Sequence, residues 1–113
     1  MITINIAKDY TMAPGGRYAA EGGCSGEDFR ETVLMPKYLE AKATNETLTV
    51  EMDGGYGYPA SWLEEAFGGL ARKIKDPDIL DRIKIVYGEE SGRAQKVRGF
   101  MEDALRYEMP DGR

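Results

Sequence analysis

Three short segments of alternating apolar and polar residues constrain the fold of this chain more than any other feature. They are ITINI at residues 2–6, TLTVEM at residues 47–52 and IKIVY at residues 83–87. Alternation with β-branched residues is typical of a strand that is buried on one face. Because longer segments with helical spacing separate the three, the pattern predicts an α/β sheet with at least some parallel strands.

The intervening segments carry recognisable helix starts and stops. Ser25 is a predicted N-cap, with Asp28 at the position where a capping box places an acid. Pro36 interrupts the apolar periodicity and predicts a kink or two short helices. The next helix begins at Pro59 or Ala60 and ends before the DPD at residues 76–78. A last helix follows a predicted Ser91 cap.

The fold prediction is a single α/β domain over residues 1–113, with its core at about residues 2–107. It has a mixed sheet of about four strands and about three helices packed on that sheet. A chain of 113 residues fits the usual size of one domain. The glycine-rich segment from residue 8 to 24 is mainly loop and leaves room for a short strand at residues 17–20. Pro, Asp and Gly at residues 110–112 indicate a frayed tail at the end of the chain.

Composition excludes several classes of function. With one cysteine, Cys24, and no histidine, the chain offers neither the usual zinc sites nor a Ser-His-Asp arrangement. We therefore expect no metal, no cofactor and no catalysis. The net charge of −5 argues against direct binding to nucleic acid. No apolar run spans a membrane and no signal peptide opens the chain, so a cytoplasmic protein is expected.

The first candidate site is GGCSGEDFR at residues 22–30. A glycine-rich turn that enters a helix presents backbone N–H groups to an anion. The candidate anion-binding residues are Arg17, Ser25, Gly26, Glu27 and Arg30. The same residues are also typical of an ordinary junction between a loop and a capped helix. The sequence pattern of a P-loop is missing.

The second candidate site is MDGGYGYPASWLEEAFGGL at residues 52–70. Ser61, in the first turn of a helix, is either a plain N-cap or a hydroxyl that accepts a phosphate. The candidate partner-binding residues around it are Asp53, Tyr56, Tyr58, Trp62, Glu64 and Glu65. Glu64 and Glu65 would repel a phosphate on Ser61, but they are also typical acids of a first helical turn.

Two further features leave alternatives open. Two adjacent glycines, Gly68 and Gly69, fall inside a predicted helix and indicate close packing against the sheet or another chain. A homodimer through this helix or through a free sheet edge therefore stays open. RAQKVR at residues 93–98 is a local basic patch, either a solvated helix face or a phosphate-binding one.

These motifs resemble those of a bacterial and phage family, the STAS-like domains of unknown function. SGEDFR at residues 25–30 is similar to the family's Ser-Gly-Glu-x-Phe-Arg motif. SWLEEAFGGLAR at residues 61–72 follows the family's Ser-Ser-Phe-Leu-Glu-Glu-Ala-Phe-Gly-Gly-Leu. The resemblance runs over about residues 2–87. Ala60 stands where the family has the first serine of the pair, and Trp62 where it has phenylalanine.

The resemblance implies a distant relation to the STAS domains of anti-sigma-factor antagonists. In those proteins a partner kinase phosphorylates a serine at the start of the helix after a central strand, and the phosphate switches partner binding. By position, Ser61 would be that serine and Asp53 the acid at the strand end. The chain would then be a regulatory protein-interaction module, and its partner an ATP-binding kinase of the anti-sigma type.

Two other functions are alternatives to this one. The first is a phage or mobile-element inhibitor whose acidic surface blocks a nucleic-acid-binding defence protein. The second is an enzyme in which Ser25, Glu27, Arg30 and Asp53 line an anion pocket. The chain lacks a recognisable pair of base and nucleophile, which argues against the enzyme.

Overall fold

A three-stranded parallel sheet organises the computed structural model, which describes residues 2–53, 57–87 and 91–107. The strands are β1 (Ile2–Asn5), β2 (Leu48–Glu51) and β3 (Ile83–Val86). They lie in the order β1-β2-β3, with Ile2 beside Leu48 and Leu48 beside Ile83. The three alternating segments of the sequence are thus confirmed as strands, each within one or two residues of its predicted bounds.

One face of this sheet carries the core. Ile4, Val50 and Ile83 are buried, whereas the intervening Thr3 and Lys84 are exposed. Both crossovers step in the same direction across the sheet. Because such connections are right-handed, the crossover helices lie on the same face. The other face is left with mostly polar side chains.

Five helices accompany the sheet in the part of the chain that the structure describes. Helix α1 is Ile6–Asp9, α4 is Ile79–Arg82 and α5 is Ser91–Tyr107. Helix α2 covers residues 26–43 as Gly26–Phe29, the π-helical Arg30–Leu34 and Met35–Ala43. Helix α3 covers residues 60–74 as Ala60–Leu63, the π-helical Glu64–Gly68 and Gly69–Ile74. A 3₁₀ turn, Ala19–Glu21, lies in the loop before α2.

The predicted break at Pro36 is replaced by a wide turn inside one continuous helix. The N–H of Met35 donates to the carbonyl of Arg30, five residues back. Pro36 then sits in the first turn of the last segment of α2, where a missing N–H is tolerated. A π turn of this kind, like the one in α3, often marks a functional position.

The prediction of a mixed sheet of about four strands and about three helices needs correction. The described strands are all parallel, and residues 17–20 form no strand because carboxylates take their N–H groups. Glu21 accepts from the N–H of Tyr18 at 2.9 Å, and Glu27 from that of Ala19 at 2.8 Å. The extra helix α1 starts directly after β1 because the Asn5 side chain caps it.

The core is one cluster between the sheet and the helices. Its largest helical side chains are fully buried in one cluster with the sheet residues Ile4 and Val50, and they are Trp62, Tyr38, Phe29 and Phe67. Within the described ranges, no helix has the length and apolar character needed to cross a membrane. The predicted tail at residues 110–112 lies outside the residues that the structure describes.

Candidate functional site

The two motif segments pack directly against each other where α2 crosses α3. A Cβ atom on Gly26 would lie 2.5 Å from the backbone oxygen of Trp62, so only glycine allows the helices to approach this closely. The indole Nε1 of Trp62 donates to the carbonyl of Cys24 at 2.9 Å. The start of α2 is therefore held against the first turns of α3.

The N-terminus of α2 is fully engaged within the protein. Ser25 is buried, and its hydroxyl accepts from the N–H of Asp28 at 2.9 Å, which confirms the predicted cap. The N–H groups of Gly26 and Glu27 donate to the carbonyls of Gly16 and Arg17, each at 3.0 Å. The backbone donors of Gly26, Glu27 and Asp28 thus already have acceptors within the protein, and anion binding at this helix start stays a prediction.

The side chains predicted to bind an anion are also committed to internal partners. Glu27 accepts a hydrogen bond from the N–H of Ala19 at 2.8 Å. Arg30 is only 5% exposed and lies in ion pairs with Glu31 and Glu65. Burial disfavours its charge, but the hydrogen bonds to these carboxylates outweigh that effect and raise its pKa.

An ion-pair cluster therefore joins the two motifs, and we call it the Arg–Glu cluster: Arg17, Arg30, Glu64, Glu65 and Arg72. Arg17 Nη1 lies 2.6 Å from Glu64 and 3.4 Å from Glu65. Arg30 Nη1 lies 2.7 Å from the Glu65 carboxylate. Arg72 holds both carboxylate oxygens of Glu64. Each carboxylate thus meets two guanidinium groups.

Glu64 stays ionised within this cluster. Burial by itself raises the pKa of its carboxyl group, but the hydrogen bonds from Arg72 and Arg17 outweigh burial and lower it. Gly68 allows this arrangement, because a Cβ atom there would lie 2.7 Å from Glu64 Oε2. Gly69 likewise leaves room for Arg30, because a Cβ atom on residue 69 would lie 2.3 Å from Arg30 Nη1. The expected close packing at the two glycines is thus against charged side chains of this same chain.

Ser61 is exposed in the first turn of α3, at the carboxyl edge of the sheet. The N-cap residue of α3 is Pro59, which provides no side-chain cap. The interpretation of Ser61 as the helix cap is therefore wrong, since Ser61 is the second residue of the helix. The exposed residues around it are Asp53, Gly57, Pro59 and Ala60, and together with Ser61 we call them the Ser61 surface.

Most of the other predicted partner contacts are not on this surface. Trp62 is wholly buried and Tyr58 is 8% exposed, so neither can meet a partner in this conformation. Glu65 is buried under Arg17 and Arg30, and Glu64 is half-buried. Tyr56 lies outside the described residues.

Aromatic packing explains why these rings turn inward. The ring of Trp62 lies 5.1 Å from Phe29 and 5.2 Å from Tyr58, and Tyr58 lies 6.0 Å from Tyr87. The guanidinium of Arg93 lies over the Tyr87 ring at 5.4 Å. Burial raises the pKa of Tyr58, whose buried hydroxyl finds no hydrogen-bond partner among the described residues. This group supports the Ser61 surface from beneath.

The sequence reasoning missed two members of the site. Arg72 donates to the carboxylate of Glu64, eight residues before it in the same helix. The only sign of this in the sequence was that Arg72 ends the Gly-Gly-x-Ala-Arg part of the motif. Tyr10 donates to the carboxylate of Asp28, a contact that links residues too distant in sequence to predict. Among the described residues, no group of acids and cysteine is arranged to hold a metal ion.

Comparison with known proteins assigns the chain to a family. The model of the family described as STAS-like domain of unknown function (DUF4325) matches residues 25–93, more than half of the chain. No curated protein and no solved structure gave a significant match. The matched range contains Ser25, Gly26, both glutamates of the Arg–Glu cluster and the strands β2 and β3. This chain therefore belongs to the STAS-like domains of unknown function.

Proposed function

We propose that this chain is a non-catalytic protein-interaction module whose partner docks at the Ser61 surface, and that phosphorylation of Ser61 releases the partner. The family is not a known enzyme family. In the described part of the chain, the candidate catalytic residues Ser25 and Arg30 are buried in internal contacts, while Asp53 is exposed. Binding, rather than turnover, is the function that this arrangement supports.

The exposure of Ser61 is the observation that carries the proposal. Its residue is exposed, and the cap position of α3 belongs to Pro59. The fold therefore does not depend on the hydroxyl, which leaves it accessible to a kinase. A phosphate in the first turn of a helix is stabilised by unpaired N–H groups and by the positive end of the helix dipole.

The Arg–Glu cluster removes the main objection to a phosphate at this position. Glu64 and Glu65 follow Ser61 closely along the helix, and as isolated carboxylates they would repel it. Both are neutralised by arginines, at 2.6 Å from Arg17 to Glu64 and 2.7 Å from Arg30 to Glu65. The new charge would then act mainly on the partner rather than on the helix that carries it.

The resemblance to anti-sigma-factor antagonists suggests the class of partner. An ATP-binding kinase of the anti-sigma type would both bind the Ser61 surface and phosphorylate it. The release mechanism then needs no large movement in this domain. Two added negative charges at the centre of a docking surface disfavour binding through desolvation and repulsion.

The test begins with affinity capture of the tagged chain from its own host, with mass spectrometry of the partners and of the Ser61 peptide. Binding of the captured partner is then measured for Ser61→Ala, Ser61→Asp and the control Thr32→Asp, which adds the same charge at another exposed hydroxyl residue. We expect Ser61→Ala and Thr32→Asp to bind and Ser61→Asp to lose the partner. Equal binding by Ser61→Ala and Ser61→Asp would rule out the switch.

The inhibitor hypothesis gives a different result in the same experiment. Capture of a basic, nucleic-acid-binding defence protein with unmodified Ser61 would favour the acidic inhibitor. Its binding would weaken steeply with salt, because an acidic surface would supply the affinity. Ser61→Asp would then leave binding intact.

A further inference from the structure

A groove of about 530 Å³ runs along the free edge of β3, between that strand and helices α4 and α5. We call it the β3 groove. The described residues that line it are Thr47, Leu80, Asp81, Ile83, Lys84, Ile85, Ala94, Gln95, Arg98 and Met101. Leu80, Ile85 and Met101 give it an apolar floor. It lies at the outer edge of the sheet and shares no residue with the Ser61 surface.

The main chain of β3 presents unpaired groups to this groove. The N–H of Met52 donates to the carbonyl of Val86 at 2.8 Å, so the main-chain groups of Val86 face β2. Successive residues of a strand alternate in this direction, and those of Ile83 and Ile85 therefore face the groove. The N–H of Ile83 is used by the carbonyl of Ile79. Within the described ranges, no main-chain group pairs with the Ile83 carbonyl or with Ile85 on this side.

The charge of the groove differs from that of the whole chain. Its lining has two cations, Lys84 and Arg98, and one acid, Asp81, on a chain with a net charge of −5. Arg98 donates to the carbonyl of Leu80 and so closes the end of α4, and its Nε lies 3.3 Å from the carboxylate of Glu102. Lys84 is exposed and belongs to the polar face of the sheet. Because Glu102 already pairs with Arg98, Lys84 is the cation of the lining that favours an occupant with negative charge beside it.

We propose that the β3 groove binds an extended acidic segment of a partner protein, which adds to the sheet as a fourth strand. Its main chain pairs with Ile83 and Ile85, as in other cases of strand addition. Because side chains alternate along a strand, its apolar residues would fill the space between β3 and α5. Its acidic residues would lie beside Lys84 on the open face.

The test uses the full chain and two fluorescein-labelled heptapeptides, Glu-Val-Glu-Val-Glu-Val-Glu and the same sequence with lysine in place of glutamate. We expect the acidic peptide to bind at least about tenfold more tightly. Lys84→Glu should weaken this binding by about tenfold, whereas Lys37→Glu, the same charge change on the far helix α2, should not. Ala94→Leu, which fills the groove, should abolish it.

Amide hydrogen exchange provides a measurement that does not depend on the variants. In the free chain, the amide of Ile85 should exchange faster than that of Lys84, because only Lys84 faces β2. The acidic peptide should slow exchange at Ile85 by about tenfold or more. Ser61→Asp should leave peptide binding unchanged, so the failure of one proposal does not decide the other.

Four outcomes would overturn this inference. They are equal affinity for both peptides, absence of acidic-peptide binding at millimolar concentration, protection of the β1 edge instead of Ile85, and protection of Ile85 by the chain itself at high concentration. The last result would show that a second copy occupies the edge. A loss of binding in Lys84→Glu counts only if that variant unfolds at the same temperature as the parent.

Discussion

A single guanidinium nitrogen of Arg30 donates to both the main chain and the side chain of Glu65. Nη1 lies 2.8 Å from the backbone oxygen and 2.7 Å from the carboxylate Oε2. The Arg30 side chain is 5% exposed and that of Glu65 is 11% exposed. This buried ion pair joins α2 to α3. The two motif residues therefore stabilise the contact between the helices, whereas Ser61 is exposed at the surface.

Removal of Glu65 alone should be strongly destabilising. Glu65→Met leaves the Arg30 charge buried without its main partner, and we expect a loss of about 3–5 kcal/mol in the free energy of unfolding. The double variant Arg30→Met with Glu65→Met should recover much of this loss, because no charge is then buried unpaired. Urea unfolding of the parent, both single variants and the double variant measures the coupling. If the double variant lost as much stability as the two single variants together, the result would contradict a stabilising interaction between Arg30 and Glu65.

Gly69→Ala should destabilise the protein by about 1–3 kcal/mol. The new Cβ would lie 2.3 Å from Arg30 Nη1, which is held in place by Glu65. Gly99→Ala is the matched control, since it is also a glycine inside a helix but has nothing within 4 Å of a Cβ atom. There we expect a gain of about 0.5–1 kcal/mol, because alanine favours the helix. Denaturant unfolding of the two variants should therefore show shifts of opposite sign.

Two serines at helix starts should respond differently to the same substitution. Ser25→Ala removes a buried cap hydroxyl and should cost about 1–2 kcal/mol of stability. Ser61→Ala removes an exposed hydroxyl outside the cap position and should change stability by less than about 0.5 kcal/mol. Thermal unfolding of the two variants checks this. A loss in Ser61→Ala as large as that in Ser25→Ala would mean that Ser61 supports the fold.

The Arg–Glu cluster should make the protein sensitive to acid. Burial alone would raise the pKa of Glu64, but Arg72 and Arg17 lower it below the ordinary value of 4.5. A lowered pKa in the folded state adds stability that is complete above about pH 4.5 and disappears as the pH falls through the folded-state pKa. Glu64→Gln should therefore flatten the decline of unfolding free energy between about pH 5 and pH 3.

The control for this measurement is Glu40→Gln, at an exposed position of α2, which should leave the profile unchanged. A residual slope is expected in Glu64→Gln. Hydrogen bonds from Arg30 and Lys42, respectively, also lower the pKa values of Glu31 and Asp76. Parallel profiles for Glu64→Gln and the parent would contradict a stabilising role of the Glu64 ion pairs.

Local patterns predicted the local structure well. The strand pattern of residues 83–87 required only alternation, and the Ser25 cap required only its spacing to Asp28. The start of α3 at Ala60 followed from Pro59 and the apolar face behind it. In each case the interaction that determines the structure lies within the same helical turn or the same strand as the residues of the pattern.

Contacts between distant segments could not be predicted in the same way. Arg17 and Glu64 lie 47 residues apart, so nothing in the sequence paired them. Trp62 was a predicted partner contact, because the sequence near it gives no sign that Phe29 and Tyr58 pack on its ring. The acceptor of the Gly26 N–H could not be predicted either, since the carbonyl of Gly16 belongs to a loop with no pattern of its own.

The strand order β1-β2-β3 has a consequence for how the chain folds during synthesis. Each new strand joins the sheet beside the strand made just before it, so no strand has to be inserted between two that are already paired. The residues that pair β1 with β2, such as Ile4 and Val50, are all present once residue 51 has left the ribosome, before β3 has been made. The sheet thus grows in the order of translation, and the strand made last lies at one of its two edges.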